Sequence, residues 1–545
     1  PLLGAIAEAQ GRVADAIDAF EAAVRLKPEI VTAWVSLANL YRSDGNLEKA
    51  LAACDAAEAG QPGRPDVMNA RGQIHQVLGD WAAAEAAYKE ALAATSEPTQ
   101  QAPYATNLAG LAMVRGAPDA AAELGRAATA AAPGYAPAHN VLGAALLAQG
   151  EDEAAQAAFQ RALELAPALI DAQVNLGTVL GRRRQWQAAL DTFDRALALA
   201  PDSAEAWNNR GNVLHGMGRF DEAQAAFERA IDLAPDYADP HLNRGLLDLK
   251  LGRWAEGWSG FAKRWQTPQM VPFRRTWTAP EWDGAENPGA TLFVHAEQGM
   301  GDTLQFVRYL PLAARRVGRV ILECQPELIG LLSHMDGVDA VLPRSGATPA
   351  FDFQIALLDL PRVFATRPDT VPGNVPYLTP PASASVSVPG GAGLKVGLVW
   401  AGNPGNPADR TRSAGLAPLR PLLDVPGCTF YGLQHGETGG QIGNLGLGAR
   451  IIDLGPQLTD FAATAALVAQ LDLVISVCTS VAHLAGGLGA ETWIVLSKDA
   501  DWRWLLDQET TPWYPTARLF RQDTLDDWDE LAGRVAGALA DRASG

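Results

Sequence analysis

Prolines 133, 167, 201 and 235 stand 34 residues apart, and this period constrains the chain more than any other feature. Pro28 and Pro62 keep the same spacing. Gly143, Gly177, Gly211 and Gly245 follow the same clock, as do Phe159, Phe193, Phe227 and Phe261, and Ala162, Ala196 and Ala230. Trp34 and Trp207 hold an equivalent early position in their units. Self-similarity at such a period marks stacked copies of one small unit, each contacting its neighbours. Every copy predicts two amphipathic helices, a short turn and a stop at proline, which lacks an N–H and clashes with the preceding turn. The glycine admits a close helix–helix approach. Phe and Ala fill the space between a helix pair and the next.

Over about residues 1–265 this pattern resembles the tetratricopeptide repeat, whose copies stack into a superhelix with a concave face. Asn107, Asn175, Asn209 and Asn243 share one repeat position, and Val141 interrupts them. An amide both donates and accepts, so it can grip an extended peptide's backbone without reading its sequence. The column resembles the asparagine ladder of the O-linked N-acetylglucosamine transferase superhelix. Asn is also an ordinary occupant of this repeat position, and the residues leave both readings open. Under either, the array is expected to bind protein.

Beyond Arg253–Trp265 and a Pro- and Trp-rich connector the texture changes. Short apolar runs (TLFVHA, RVILEC, FDFQIALL) alternate with helical ones, the βαβ pattern of a parallel sheet. A Pro/Ser/Gly stretch from Pro380 to Gly393 predicts a linker. A second series follows: LKVGLVWAG, CTFYGLQ, RIIDLG, DLVISV, TWIVLS and a closing helix from about Leu525. The expected organisation is a repeat superhelix over 1–265, a connector over 266–290, a Rossmann-like half over 291–380, a linker over 381–393 and a second Rossmann-like half over 394–545. The fold class is thus α followed by α/β. Ligands of such sheets sit at the carboxyl ends of the strands, so the cleft between the halves is the expected site.

Four strand ends carry chemistry there. In AEQGMGDTLQFVRYLP, Gly299 and Gly301 allow tight backbone and Asp302 opens a helix, as an N-terminal cap or as a general base. In VWAGNPGNPADRTRSAGL, Arg410, Arg412 and Ser413 suit a phosphate, or form a solvated loop. Gln434 and His435 follow another strand. In VISVCTSVAHLAGGLG, Cys478, Thr479 and Ser480 meet a helix start, where orphan N–H groups and the dipole favour an anion. His483 lies in the first turn, facing a ligand or satisfied within the core. A fifth stretch, KDADWRWLL, places aromatic and Arg side chains nearby, for stacking or for packing.

GMGDTLQFVRYLP and SVCTSVAHLAGGLG resemble the two motifs of bacterial heptosyltransferase-like glycosyltransferases of the GT-B fold. Their pairing with tetratricopeptide repeats resembles bacterial repeat-containing glycosyltransferases, flagellin glycosyltransferases that add a nonulosonic sugar to Ser/Thr among them. The resemblance implies a metal-independent, inverting enzyme without a cofactor. Its nucleotide-sugar donor lies against Gly299, Gly301, Arg410, Arg412, Ser413, Gln434, Cys478, Thr479, Ser480 and His483. Asp302 is the implied base, and the asparagine column holds an acceptor protein, flagellin being one candidate. The second motif usually reads Ser-Val-Asp-Thr, and this chain has Cys478 in place of the Asp. A transferase to a glycan or lipid-linked core, and an inactive protein-binding scaffold, are the alternatives.

Composition narrows the rest. The formal net charge of −19 speaks against a nucleic-acid groove, which needs clustered Lys and Arg. Cys54, Cys324, Cys428 and Cys478 form no CxxC pair, so neither a zinc site nor a disulfide framework is expected, and a reducing cytoplasm is. No apolar run reaches the roughly 18–20 residues of a membrane helix. The chain starts at Pro1 without Met and is expected to be a piece, with a targeting segment ahead of it left open.

Overall fold

The computed structural model describes residues 1–344, 346, 348–384, 386–405 and 409–544, the Arg410 side chain excepted. They divide into two compact units, Pro1–Ala234 and Pro235–Gly545.

The first unit is a solenoid of antiparallel helix pairs, such as Ile170–Arg182 with Trp186–Leu199 and Ala204–Gly216 with Phe220–Leu233. Three of the periodic glycines make room for one aromatic ring each, while Gly245 lets the backbone of Gly260 approach. A Cβ on Gly143, Gly177 or Gly211 would come within 2.6–2.7 Å of Phe159, Phe193 or Phe227. Gly72 does the same for Tyr88 at 2.5 Å. Ala162, Ala196 and Ala230 are fully buried between pairs. A further column explains Trp34 and Trp207. Each donates its indole N–H to the carbonyl of the proline six residues earlier, Pro28 at 2.9 Å and Pro201 at 3.0 Å. Gln173 makes this bond to Pro167, and His139 places its Nε2 3.0 Å from the Pro133 carbonyl. The position therefore selects a donor long enough to reach back over one turn. It satisfies a carbonyl that proline leaves outside the helical ladder.

The second unit begins with one more helix pair, Ala238–Lys250 and Trp254–Phe261. The compact unit thus opens a helix pair ahead of the expected boundary near 265, and the reason is burial. Trp254, Trp258 and Phe261 enter the core of the following sheets, where Trp254 stacks on Trp513 (5.1 Å) and Trp258 meets Trp502 edge-on (5.4 Å). Lys250, buried, pairs with Asp499.

Two parallel sheets follow. The first has β1 (Asn287–His295), β2 (Val317–Cys324), β3 (Ala340–Pro343) and β4 (Phe353–Ala356), in the order β3-β2-β1-β4. The second has β5 (Leu394–Val399), β6 (Cys428–Gly432), β7 (Ile451–Asp453), β8 (Leu473–Val477), β9 (Thr492–Leu496) and β10 (Ala517–Arg521). Its order is β10-β9-β8-β5-β6-β7. Strands β3 and β10, each at a sheet edge, escaped the sequence pattern. β3 is four residues of half-exposed chain, and β10 alternates Arg with apolar residues. The closing helix is Trp528–Ser544.

Both sheets and the last helix pair bury one continuous core, which runs from Trp254 and Trp258 through Val294, Leu322 and Phe306 to Val474 and Trp513. The stretch expected as a linker is tied to the second sheet: Gln470 bonds Val386 and Val388, Tyr431 donates to the Pro389 carbonyl, and Thr429 donates to that of Ala392. Among the described residues no helix is long and apolar enough to cross a membrane.

Candidate functional site

Chain order reverses between β5 and β8 in the second sheet and between β1 and β4 in the first. At such a switch point the connections leave in opposite directions and open a crevice at the carboxyl ends of the strands. The loop after β1 and the turn after β8 both begin helices there. Those helices, Met300–Phe306 and Ser480–Gly487, pack on one another. A Cβ on Gly301 would lie 3.0 Å from His483 and 3.4 Å from the Ser480 Cα. Neither Gly299 nor Gly301 has a positive φ, so the use of Gly301 is this closeness and not a special backbone angle, and Gly299 is the helix N-cap.

Asp302 is held at both oxygens. It is not the N-terminal cap expected, which is Gly299, but the third helical residue: its Oδ2 reaches back to accept the Gly299 N–H at 3.0 Å, and its Oδ1 accepts Arg503 Nη2 at 2.5 Å. The sequence singled out the stretch containing Arg503 for stacking or for packing, and not for ion pairs. Arg503 is 7% exposed and spends its guanidinium on three groups: Asp302, Asp501 (2.9 Å) and Gln305 (2.6 Å). Burial lowers its pKa, but the Asp501 and Asp302 carboxylates outweigh this and raise it, so the charge persists. Arg308 donates to the Trp513 carbonyl at 2.7 Å and to the Tyr377 hydroxyl at 3.0 Å. Asp302, Gln305 and Arg308 are three residues apart, one helical turn each, so this face of the GMGDTLQFVR segment joins the first sheet's half to the second's. That spacing was visible in the sequence; its partner, some 200 residues on, was not.

The turn before Asp302 is fastened residue by residue. Arg344 donates to the Ala296 carbonyl at 2.8 Å, and Gln325 donates to that of Gln298 at 2.8 Å. Arg264 of the 3-10 turn Ala262–Gln266 reaches Glu297 (2.7 Å) and Asp359 (2.8 Å), all three side chains nearly buried. One cation between two carboxylates leaves room for a proton. Burial pushes the Glu297 carboxyl up, to about 7, against the pull of Arg264.

His483 takes the core option. Its Nδ1 lies 2.9 Å from the Tyr514 hydroxyl, its ring stacks on Trp504 at 5.5 Å, and burial with the Arg503 charge lowers its pKa to about 3. It is neutral at pH 7. Cys478 receives the Trp504 indole N–H at 3.2 Å, and burial plus the Asp501 charge raises its thiol to about 11. Thr479 turns its hydroxyl to that of Ser476 (3.2 Å) and leaves the helix start uncapped by its side chain. Ser480 is the first residue of that helix.

On the β5 side, Ser413 accepts the Gly402 N–H at 2.8 Å, and Arg412 donates to Asp409 at 3.1 Å. Arg412 is near enough to Cys478 and His483 for its charge to act on both. The Arg410 side chain lies outside the described residues. Gln434 is an internal brace: Oε1 accepts from Trp400 and Ala401, and Nε2 donates to the Ala401 carbonyl and the Thr438 hydroxyl. Its hydrogen-bonding capacity is spent on shaping the loop.

The asparagine column lies half-buried and pairs across repeats. Asn107 donates to Asn69 (2.7 Å), Asn175 to Asn140 (3.1 Å) and Asn209 to the Thr178 hydroxyl (3.5 Å). Asn69 and Asn140, missed because they sit off the 34-residue clock, belong to the same band. Asn243 is half-buried too.

Models described as tetratricopeptide repeat match residues 2–65, 69–136 and 212–269, with further matches over 136–169 and 168–236. The N-terminal half is a tetratricopeptide-repeat array. Such repeats bind protein partners. Protein FlbA of Caulobacter vibrioides is 28% identical over 319 residues, 53% of this chain and 52% of FlbA, so the chain spans about half of that relative. Among solved structures, MamA is 27% identical and covers 30% of this chain and 94% of its own, with a TM-score of 0.26. The Cut9–Hcn1 hetero-tetramer of APC/C is 16% identical and covers 48% and 50%, with a TM-score of 0.42. Pseudomonas aeruginosa pilF is 19% identical and covers 38% and 94%, with a TM-score of 0.34. At such TM-scores none of the three bears on function.

Proposed function

We propose that the chain is a glycosyltransferase of GT-B type that transfers a sugar from a nucleotide-sugar to Ser or Thr of an acceptor protein. The repeats hold the acceptor. The observation that carries the reading is the meeting of two switch points, with the helix after β1 packed on the helix after β8 and Arg412 beside them. The Ser480 helix start, with its orphan N–H groups and dipole, takes the donor phosphates, and Arg412 offsets the charge that grows on the leaving phosphate. Asp302 takes the proton of the acceptor hydroxyl as that oxygen attacks the anomeric carbon. A carboxylate has about four lone-pair sites; Gly299 and Arg503 occupy two and fix its direction. Flagellin bearing a nonulosonic acid is the acceptor and product to try first, on the strength of the motif resemblance.

Calorimetry of the full chain against uridine, guanosine, adenosine and cytidine mono- and diphosphates tests donor binding. Mass spectrometry of a co-expressed acceptor tests transfer. Nucleotide binding and an added sugar mass are expected. A folded protein that binds none of them loses the transferase reading.

One observation favours a second reading, an inactive scaffold that binds protein through its repeats. The strand-end residue 478 is a protonated thiol already engaged by Trp504. Nucleotide binding without transfer to any acceptor would support it.

A further inference from the structure

One carboxylate at this crevice has a role neither in proton transfer nor in the phosphate cradle. Asp501 follows β9 and caps the 3-10 turn Trp502–Trp504. Its Oδ1 accepts twice from Arg503, from the backbone N–H at 3.0 Å and from Nη1 at 2.9 Å. Among the described residues nothing hydrogen-bonds its Oδ2, and the side chain is 39% exposed. The group is anchored on one oxygen and open on the other.

Its surroundings select what the open oxygen can take. Arg503 joins Asp501 to Asp302, and Trp504 of the same turn donates to Cys478, which places Asp501 beside the end of β8. The residues of that strand end offer no anionic acceptor: the thiol is protonated and receives the Trp504 N–H, and His483 is neutral and turned to Tyr514. Arg503 already pairs with Asp501 and Asp302, so the spot holds little surplus negative charge for a cation. A phosphate is repelled by Asp501 itself. What remains is a neutral donor, and an ionised carboxylate is a strong acceptor for a hydroxyl.

We propose that Asp501 Oδ2 accepts a hydroxyl of the bound nucleotide-sugar and so makes the site selective for a polyhydroxylated ring. The inference rests on the nucleotide-sugar reading above. The hydroxyl belongs either to the ribose or to the transferred sugar, and the two sources separate experimentally.

The test uses Asp501→Asn in the full chain, which keeps the turn cap and removes the charge, with Asp501→Ser as a second capping variant. Calorimetry compares wild type and variants on the best-binding nucleotide of the panel, on its 2′- and 3′-deoxy forms, and on its sugar conjugates. A charged hydrogen bond lost to a ligand weakens binding about tenfold or more. If the ribose is the partner, the ribonucleotide weakens by that factor and one deoxy form does not. If the sugar is the partner, only the conjugate weakens. Equal affinities in wild type and variants for every ligand overturn the inference and leave the nucleotide-sugar reading standing. An equal loss on all ligands also overturns it, because Asp501 would then act only by holding Arg503. No binding by wild type removes the inference together with the reading beneath it.

Discussion

The two halves of this chain hold themselves together at different ranges. In the repeat array the defining contacts are short: Gly177 under Phe193, Trp207 to Pro201, Asn175 to Asn140. Each is reissued in other copies. In the two-sheet unit the defining contacts join residues far apart and occur once: Asp302 to Arg503, Arg308 to Trp513, Lys250 to Asp499. A local, repeated contact fails one copy at a time. A single distant contact is shared by everything around it, and its loss is felt across the core.

The largest effect is expected on chemistry. Asp302→Asn keeps one acceptor, for the Gly299 N–H, gives up the bond to Arg503 and removes proton acceptance, and a positioned base contributes about 10²–10⁴-fold. The variant is expected to fold, bind donor and slow sugar transfer by at least roughly a hundredfold. An unchanged rate in a single-turnover assay would reduce Asp302 to a cap and a strap.

Arg503→Met comes next. It leaves Asp302, Asp501 and Gln305 without their shared cation, and breaking a buried pair costs about 3–5 kcal/mol. Denaturant unfolding of the full chain is expected to show the second unit melting early while the repeats keep their transition. Simultaneous loss of both transitions would erase the contrast drawn above.

The Glu297 carboxyl gives a pH signature to the second unit alone. Its folded pKa, about 7, lies above the ordinary 4.5 because burial outweighs Arg264. Its contribution to stability is therefore full below about 4.5 and is lost as the pH rises towards 7 and through it. Glu297→Gln should flatten that stretch of the stability–pH curve of the second unit, read by thermal melting from pH 4 to 8. A parallel curve in the variant would assign the slope to other groups.

Overpacking one repeat should cost less. Gly177→Val sets a branched side chain against the buried ring of Phe193, for about 1–3 kcal/mol. Hydrogen exchange is expected to report the loss in that repeat and its immediate neighbours. Protection lost evenly from residue 1 to 234 would make the array as cooperative as the sheets.

Trp207→Phe is the smallest. It keeps an aromatic side chain, smaller than the indole, and deletes the N–H that reaches Pro201, a bond worth about 0.5–1.5 kcal/mol net. Trp207→His should recover most of it, since His139 stands at the equivalent place in its own repeat. A His variant no better than Phe would show that the column selects ring shape and not a donor.

Much of this was legible in the chain. Period 34 identified the repeats because each copy restates the same buried glycine, aromatic and alanine, and the strand ends of β1, β5 and β8 stood out as polar residues after apolar runs. Edge strands β3 and β10 did not: β3 buries no residue, and β10 sets Arg518 and Arg521 among its buried Ala517, Leu519 and Phe520, which breaks the apolar run. The helix pair from Ala238 to Phe261 follows the repeat clock in sequence and joins the sheets in space. Only its extra tryptophans hinted at that.

Sequence by itself determined the array, the parallel sheets and the short list of strand ends, because helix stops, alternation and glycine spacing act within a few dozen residues. Only the tertiary structure decided the roles inside the list. It tied Asp302 to Arg503, packed His483 as a neutral core ring, spent Gln434 on its own loop, and left Asp501 with one oxygen open. Those outcomes depend on which side chain arrives from 20 to 200 residues away, and on how much water remains when it does. Neither quantity is written in the local order of residues.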